Sequence, residues 1–198
     1  MREKIRCAWV PENNELYTRY HDEEWGVPVW DDKKMFEFIV LESAQAGLSW
    51  ITVLKKRKAY KKAFANFDVV RIAKFNEDDV LCLLQNEGII RNRMKIVAAV
   101  ENAKQFLKVQ KEFGSFCNYM WNFVGNKPID ERRNTIKDIP AISKQAEIIA
   151  FDMKKRGFHF FGPTICYAHM QAVGMINDHT IDCFRHNEVK QGILKRSR

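Results

Sequence analysis

The sequence contains no apolar run of the roughly 20 residues that a membrane-spanning helix requires. Residues 1–6 are mostly charged and no apolar stretch follows them, which argues against a secretory signal peptide. Strand-like alternation of apolar and polar residues is hard to find, and there is no internal repeat or low-complexity segment. These absences predict a cytoplasmic chain that does not enter a membrane and has little β-structure.

The chain also lacks a regular cysteine framework. Its five cysteines are an odd number and are widely scattered, at Cys7, Cys82, Cys117, Cys166 and Cys183. In a reducing compartment, such cysteines are expected to be thiols or metal ligands and not disulfides.

Composition predicts a packed globule. Hydrophobic residues make up 46% of the 198 residues, with 14 Phe and 5 Trp, and this length fits a single domain over residues 1–198. Lys and Arg outnumber Asp and Glu by 33 to 25, which gives a net charge of +8. This charge favours an anionic partner such as nucleic acid, although a basic surface that merely keeps the protein soluble is an open alternative.

Apolar residues recur at helical spacing in segments that begin at capping residues and mostly end near glycine. The chain is therefore predicted to be all-α. The predicted helices cover residues 31–47, 49–64, 76–88, 91–113, 115–124, 143–157 and 163–174. Residues 126–142 are predicted to be a connecting loop, and residues 185–198 a basic tail that is either solvated or in contact with DNA.

A possible metal site joins the two ends of the chain. His179 and Cys183 are four residues apart and share one face of a helix, and thirteen residues separate Cys7 from His21. Together they offer two thiolates and two imidazoles, a set that suits one tetrahedral zinc ion. Four protein ligands leave no position for water, so such a site would be structural. Spacing alone leaves open that these cysteines are small buried hydrophobic residues.

Aromatic residues are dense near the N-terminus. Trp9, Tyr17, Tyr20 and Trp25 lie within a short polar stretch without a clear amphipathic helix. They are either part of the core or the walls of a slot that stacks a flat base.

Glu42 lies beside the apolar positions of its predicted helix, near Ile39 and Val40. It is either a surface glutamate or a partly buried carboxylate that accepts hydrogen bonds from an amino group of a ligand.

A glycine-bounded turn connects the last two predicted helices. Gly157 and Gly162 flank it, and the backbone N–H groups that follow open a helix, where the helix dipole favours an anion. The turn therefore suits a phosphate, and Arg91, Arg93 and Lys95 add cations elsewhere. An ordinary corner between two helices is the alternative.

Several longer segments resemble one known family. They are CAW at 7–9, YHDEEWGVP at 20–28, QAGLSWITVLKKR at 45–57, GIIR at 88–91, KRGF at 155–158, TICY at 164–167 and NDH at 177–179. In this order they resemble 3-methyladenine DNA glycosylase I, of the helix-hairpin-helix glycosylase superfamily. The resemblance implies two helical lobes and an enzyme that flips 3-methyladenine out of alkylated double-stranded DNA and hydrolyses its glycosidic bond. A monomer is assumed by default.

The resemblance also implies roles for individual residues. Glu42 would recognise the base and is the candidate catalytic residue. The pocket walls would be Tyr17, Tyr20, Trp50 and Trp9, and the gap left by the flipped nucleotide would be filled by Gly47 and Leu48. The DNA backbone would be contacted by Gly157, Phe158, Gly162 and Thr164. One structural zinc ion would be bound by Cys7, His21, His179 and Cys183.

Two residue types are missing where related enzymes use them. Asn177 stands where many members of the superfamily carry a catalytic Asp, and Lys190 is the only Lys between Gly157 and Gly192, so no Schiff-base lysine is available there. A monofunctional hydrolase is predicted. Asp178 is a possible substitute carboxylate, unless it orients His179 or caps a turn. Two rival hypotheses are a zinc-containing DNA-binding module without activity and a zinc hydrolase, although the chain has no His-Glu-x-x-His motif.

Overall fold

The computed structural model describes residues 4–196, and the side chains of residues 4–190. Helices dominate this part of the chain. They are α1 (Glu15–Glu23), α2 (Asp32–Gln45), α3 (Trp50–Ala63), α4 (Val69–Ile72), α5 (Glu77–Gln85), α6 (Arg93–Phe113), α7 (Phe116–Asn122), α8 (Lys144–Lys155), α9 (Pro163–Ala172) and α10 (Phe184–Arg196). Short 3-10 turns lie at Ala65–Phe67 and Ile136–Asp138.

The seven predicted helices are confirmed as α2, α3 and α5 to α9, because local capping chemistry defines where they begin. The Asp31 carboxylate accepts a hydrogen bond from the Lys34 amide, and the Ser143 hydroxyl accepts one from the Ala146 amide. Helix ends were predicted less well. Helix α5 ends at Gln85, three residues before Gly88, and the next helix begins at Arg93.

Helix α2 lies at the centre of the molecule and packs against α3, α6, α7 and α9. Its buried side chains include Phe36, whose ring meets Phe106 of α6 edge-on at 5.2 Å between centroids. Phe106 in turn stacks on Phe116 of α7 at 4.0 Å. Each such side chain contributes roughly 1.5–3 kcal/mol through burial. The helix is therefore held on several sides, so any residue on it has a fixed position.

Helices α1 and α4, the two 3-10 turns and two short strands were not predicted. Helix α1 crosses the aromatic-rich N-terminal segment and is capped by the Asn14 side chain, which accepts from the Tyr17 amide. Strands β1 (Ile129–Asp130) and β2 (Ile176–Asn177) pair in parallel, with Ile129 opposite Ile176. The strands are too short for alternation to be visible in the sequence.

The basic tail predicted for residues 185–198 is wrong over residues 185–196, which belong to helix α10. Val189 is buried, and His186 bonds through its ring to the Asp130 carboxylate at 3.0 Å. The tail prediction rested on charge, whereas one apolar residue and one buried histidine anchor the helix. Residues 197–198 and residues 1–3 lie outside the described part of the chain.

No helix among the described residues is both long enough and apolar enough to cross a membrane. None of the five cysteines forms a disulfide, and Cys82 alone among them is exposed.

One glycine at a close approach provides a test of the fold. Gly174 has φ +70°, and a Cβ there would lie 2.5 Å from the Pro28 nitrogen and 2.5 Å from the Val27 carbonyl carbon. Gly125 has a similar φ of +63° but open space around it. Both Gly→Ala changes strain the backbone, and only Gly174→Ala adds a clash. We expect Gly174→Ala to lower the free energy of unfolding by about 1–3 kcal/mol more than Gly125→Ala does. Urea unfolding of both variants measures this difference, and equal losses would contradict the close packing.

Candidate active site

A pocket of about 260 Å³ opens between α1, α2, α3, α9 and the loop after β1. We call it the aromatic pocket. It is lined by Trp9, Tyr17, Tyr20, Trp25, Glu42, Gln45, Trp50, Ile136, Ile139, Ala168 and Gln171. The volume lies just below the usual range of roughly 300–1,000 Å³ for small-molecule sites, which suits one flat ring system.

The aromatic walls pack mainly edge-to-face. Trp9 meets Trp25 at 5.0 Å and Tyr17 at 5.7 Å between ring centroids, and Tyr20 is tilted against Trp50 at 5.3 Å. Tyr17 and Tyr20 share a face of α1 because they are three residues apart. Of the two open interpretations of these residues, core or slot, the structure supports both. Tyr20 and Trp25 are buried, whereas Trp9, Tyr17 and Trp50 are half-buried around the opening.

Glu42 projects into this pocket from the third turn of α2 and is only 2% exposed. Its Oε2 lies 3.0 Å from Nδ1 of His169 on α9. Its Oε1 is buried and has no hydrogen-bond partner among the described residues. Burial raises the pKa of Glu42, and the neighbouring His169 opposes that shift. The carboxyl group thus has one oxygen held by the protein and one free for a ligand.

Two tryptophans that line the pocket also carry a buried polar group without a partner among the described residues. The indole N–H groups of Trp9 and Trp50 are buried without a partner in the described part of the chain. A buried polar group left unpaired costs about 1–3 kcal/mol, so native proteins rarely keep several of them together. Three residues that line one pocket therefore each carry a buried group that is unpaired within the described structure, one acceptor and two donors, which suits a polar planar ligand.

The turn between α8 and α9 is held by side chains from other helices. The Asn102 side-chain amide of α6 donates to the His159 carbonyl at 2.9 Å and accepts from its N–H at 2.8 Å. The Ser43 hydroxyl of α2 donates to the Phe160 carbonyl at 3.2 Å. Gly157 adopts φ +87°, whereas Gly162 and Thr164 are exposed at the start of α9. We call residues 157–162 the hairpin.

Phe158, one of the residues for which a DNA-backbone contact is predicted, lies in the core below the hairpin. Its side chain is buried and packs against Phe116 at 5.9 Å, and its N–H donates to the Met153 carbonyl. Phe158 therefore fixes the hairpin to the core and offers no donor to a phosphate.

Gly47 and Leu48 form an exposed loop between α2 and α3, with Leu48 42% exposed. The Lys95 ammonium of α6 donates to the carbonyls of Ala44 at 2.9 Å and Ala46 at 2.5 Å, directly before this loop. A cation at the carboxyl end of a helix is stabilising, since the unpaired carbonyls there carry partial negative charge. The loop therefore presents the apolar Leu48 side chain from a backbone segment that Lys95 holds in place.

The four predicted metal ligands lie together. Their ligand atoms are all within 4.8 Å of one another, and all four residues are buried. The Cys183 sulfur lies 3.4 Å from His21 Nε2 and 3.6 Å from His179 Nδ1, and the Cys7 sulfur lies 3.5 Å from the same Nδ1. A tetrahedral zinc with ordinary bond lengths places sulfur and nitrogen ligands about 3.6 Å apart. The donor set therefore has the spacing of a tetrahedral site.

The remaining ring nitrogens of both histidines are also held. His21 Nδ1 lies 2.8 Å from Asp22 Oδ1, and His179 Nε2 lies 3.0 Å from the Trp25 carbonyl. Such partners place the ring proton on the outer nitrogen and leave the inner nitrogen free to bind metal. Burial also lowers the pKa of His179, which favours the neutral imidazole that acts as a ligand.

Asp178 neither orients His179 nor faces the aromatic pocket directly. Its carboxylate accepts hydrogen bonds from Tyr167 at 2.5 Å, Gln171 at 2.8 Å and Arg133 at 3.2 Å. Gln171 lines the pocket, so Asp178 supports one of its walls.

Several pocket residues were not singled out from the sequence. Gln45 follows Glu42 by three positions and Gln171 follows Ala168 by three, so helical periodicity could have placed each pair on one face. His169, which touches Glu42, gave no signal because its helix is apolar almost throughout. Ile136 and Ile139 come from the predicted loop, where no periodicity exists to locate them.

A pocket with aromatic walls and a side chain that can form hydrogen bonds is typical of proteins that accept a base extruded from the nucleic acid stack. A model of the methyladenine glycosylase family matches residues 9–186, and the chain belongs to this family. It is 47% identical to DNA-3-methyladenine glycosylase 1 of Escherichia coli (strain K12) over 178 residues, which are 90% of this chain and 95% of that protein. It is 46% identical to DNA-3-methyladenine glycosylase of Haemophilus influenzae, over 90% and 96% of the two chains.

Solved structures agree with this membership. The crystal structure of a 3-methyladenine DNA glycosylase I superposes with a TM-score of 0.88 at 49% identity, covering 91% of this chain and 98% of that chain. A variant of 3-methyladenine DNA glycosylase I in complex with 3-methyladenine gives a TM-score of 0.88 at 34% identity, over 90% and 96% of the chains. The resemblance seen in the sequence motifs is thus confirmed.

The burial of Glu42 makes a prediction about stability. Because its pKa is raised in the folded state, the folded chain binds this proton more tightly than the unfolded chain does. Stability therefore falls as pH rises from the ordinary value of 4.5 through the folded-state pKa. Glu42→Gln removes this cost, so we expect the variant to exceed the parent in unfolding free energy at pH 7.5 and the excess to shrink towards pH 4.5. Urea unfolding across this range checks it.

The exposed Glu12 supplies the matched control, since Glu12→Gln changes one carboxyl group at the surface. It should show no such pH-dependent gain. An excess for Glu42→Gln that does not vary with pH would show that ionisation of Glu42 is not its source.

Proposed function

We propose that this protein is a DNA glycosylase that removes 3-methyladenine from alkylated double-stranded DNA by hydrolysing the N-glycosidic bond. The observation that carries the proposal is the free Oε1 of Glu42, buried in the aromatic pocket of a chain that belongs to the methyladenine glycosylase family. Related chains named for this activity, and one solved with 3-methyladenine, support it.

Base recognition combines charge and shape. A 3-methylated adenine in DNA carries a positive charge, which favours both the Glu42 carboxylate and the faces of aromatic rings. The exocyclic amino group of the base can donate to Glu42 Oε1, while Tyr17, Tyr20, Trp9 and Trp50 form the walls. A site built around such a hydrogen bond discriminates against bases that lack the donor.

Cleavage of the glycosidic bond requires little acid–base catalysis from the protein. The base departs as a neutral molecule because it is already cationic, so no acid has to protonate it. Water then attacks the oxocarbenium-like sugar. Within the described residues no lysine lines the aromatic pocket, and Lys190 pairs with Asp130. This arrangement supports a monofunctional hydrolase without a Schiff-base intermediate.

Two exposed features would bind DNA. The backbone at Gly162 and Thr164, at the start of α9, would hold a phosphate, as in a helix-hairpin-helix fold. The Leu48 side chain, presented by Gly47, would fill the gap left by the flipped nucleotide. The net charge of +8 supports attraction of this face to DNA.

Cys7, His21, His179 and Cys183 would hold one zinc ion as a structural centre. The ion would cross-link the N-terminal and C-terminal segments and would take no part in the reaction. Trp9 follows Cys7 by two residues, and the Trp25 ring packs on His179 at 4.6 Å. The centre would therefore fix one wall of the aromatic pocket.

Excision by a Glu42 variant tests the assignment. Incubation with methylated duplex DNA should release free 3-methyladenine, identified by chromatography. Glu42→Ala should reduce excision by about 10- to 100-fold or more, because a hydrogen bond to a charged group is lost. Affinity for undamaged duplex DNA should not change, since the Glu42 side chain is buried and the proposed phosphate contacts are exposed backbone groups at Gly162 and Thr164. Near-normal excision by Glu42→Ala would overturn the role of Glu42, and no release by the parent would overturn the activity.

Zinc content tests the metal centre. Elemental analysis of protein purified without chelators should find about one zinc per chain. Cys183→Ala should lose the ion and more than about 2 kcal/mol of unfolding free energy, because the remaining ligands are left buried and unpaired. Cys82→Ala, at the exposed cysteine outside the cluster, should keep both. Retention of zinc by Cys183→Ala would show that this ligand set is wrong.

A further inference from the structure

His169 has an unusual set of contacts for a buried histidine. It lies on α9 with no exposed surface, and its Nδ1 is 3.0 Å from Glu42 Oε2. Its Nε2 has no hydrogen-bond partner among the described residues. The ring of Phe161, the hairpin residue next to α9, packs against it edge-on at 5.2 Å. The polar contact of this histidine is therefore made to the pocket carboxylate.

A purely structural role does not account for this arrangement. An unpaired ring nitrogen in an apolar environment is costly, and a buried polar pair is often no more stable than well-packed apolar side chains. Leucine would fill a similar volume without that cost. The Glu42–His169 contact is thus better explained by what it does for Glu42.

The contact determines how the Glu42 carboxylate is presented. With Oε2 held by His169, the orientation of the carboxylate is fixed, and Oε1 has no partner among the described residues and is left to bond a ligand in the pocket that Glu42 lines. If Glu42 is ionised, Nδ1 must carry the proton, since an unprotonated Nδ1 would face the carboxylate with its lone pair. A neutral ring of this tautomer leaves the negative charge of Glu42 uncompensated, ready for a cationic base.

We propose that His169 is a positioning residue for base recognition, donating Nδ1–H to Glu42 Oε2 so that Oε1 receives the amino group of the base. The proposal rests on the proposed function of Glu42. His169 itself does not touch the base. Phe161 holds the histidine ring, so the hairpin that would bind the DNA backbone also supports the group that orients Glu42.

The test uses three variants at one position. Asparagine places an amide N–H close to where Nδ1–H lies, glutamine moves it outward, and leucine removes it while filling the volume. The measured quantities are the dissociation constant for free 3-methyladenine, from quenching of tryptophan fluorescence, and the rate of excision from methylated duplex DNA at limiting substrate. Thermal stability and affinity for undamaged duplex are measured alongside.

We expect His169→Leu to weaken base binding and excision by about 10- to 100-fold, with unchanged duplex affinity. His169→Asn should recover most of the loss, although its smaller side chain makes it less stable than His169→Leu, and His169→Gln should recover little. A packing role gives the opposite order, with function following stability and His169→Asn worst affected. That order, or normal base binding by His169→Leu, overturns the proposal.

Failure of this inference and failure of the proposed function give different results. If His169→Leu is normal while Glu42→Ala has lost excision, the role of Glu42 stands and that of His169 falls. If Glu42→Ala excises normally, the proposed base recognition falls first.

Discussion

A carboxyl group placed between aromatic rings resists ionisation, and this constraint organises the site. Burial raises the pKa of Glu42, so the surrounding structure has to favour the charged form if the pocket is to attract a cation. The nearby His169 opposes the effect of burial, and a bound cationic base would oppose it further. Glu42 therefore gains more from a ligand than a solvated carboxylate would, because the amino group and the positive charge of the ligand supply the partner that Oε1 lacks in the described part of the protein.

Such a site requires a rigid support, which α2 supplies. The helix carries Glu42 and Gln45 towards the pocket, Ser43 towards the hairpin and Phe36 into the core. Since α2 packs against four other helices, Glu42 cannot relax away from its apolar surroundings towards water. Stability of the core therefore maintains a local arrangement that is unfavourable by itself, as is common where function requires buried charge.

The sequence predicted most of the helices because their capping residues act locally. Asp31, Ser143 and Pro163 mark helix starts through interactions within one turn. Helix α1 was missed because its buried aromatic residues sit among polar ones, and α10 because charge was given more weight than Val189 and His186. The short strands depend on pairing between distant segments, which no local pattern records.

The candidate site divides in the same way. Motif resemblance brought together Glu42, the aromatic walls and the four metal-site residues, and the structure does place each group together. The role of His169 could not be predicted from the sequence, because it depends on a contact with Glu42, which lies 127 positions away in the chain. The burial of Phe158 could not be predicted for a related reason, since it depends on a contact with α7 and not on its neighbours in the chain.

Helix α9 connects the two proposed binding events. Its first turn, from Pro163, would face the DNA backbone, while Ala168 and Gln171 line the pocket and His169 contacts Glu42. His169 follows Thr164 by five positions, which corresponds to about 7.5 Å along the helix axis. A single rigid helix thus sets the spacing between the phosphate contact and the base pocket. Recognition of a flipped base and the hold on its strand therefore depend on one geometric relation, which a change in the length of α9 would break even if every contact residue were kept.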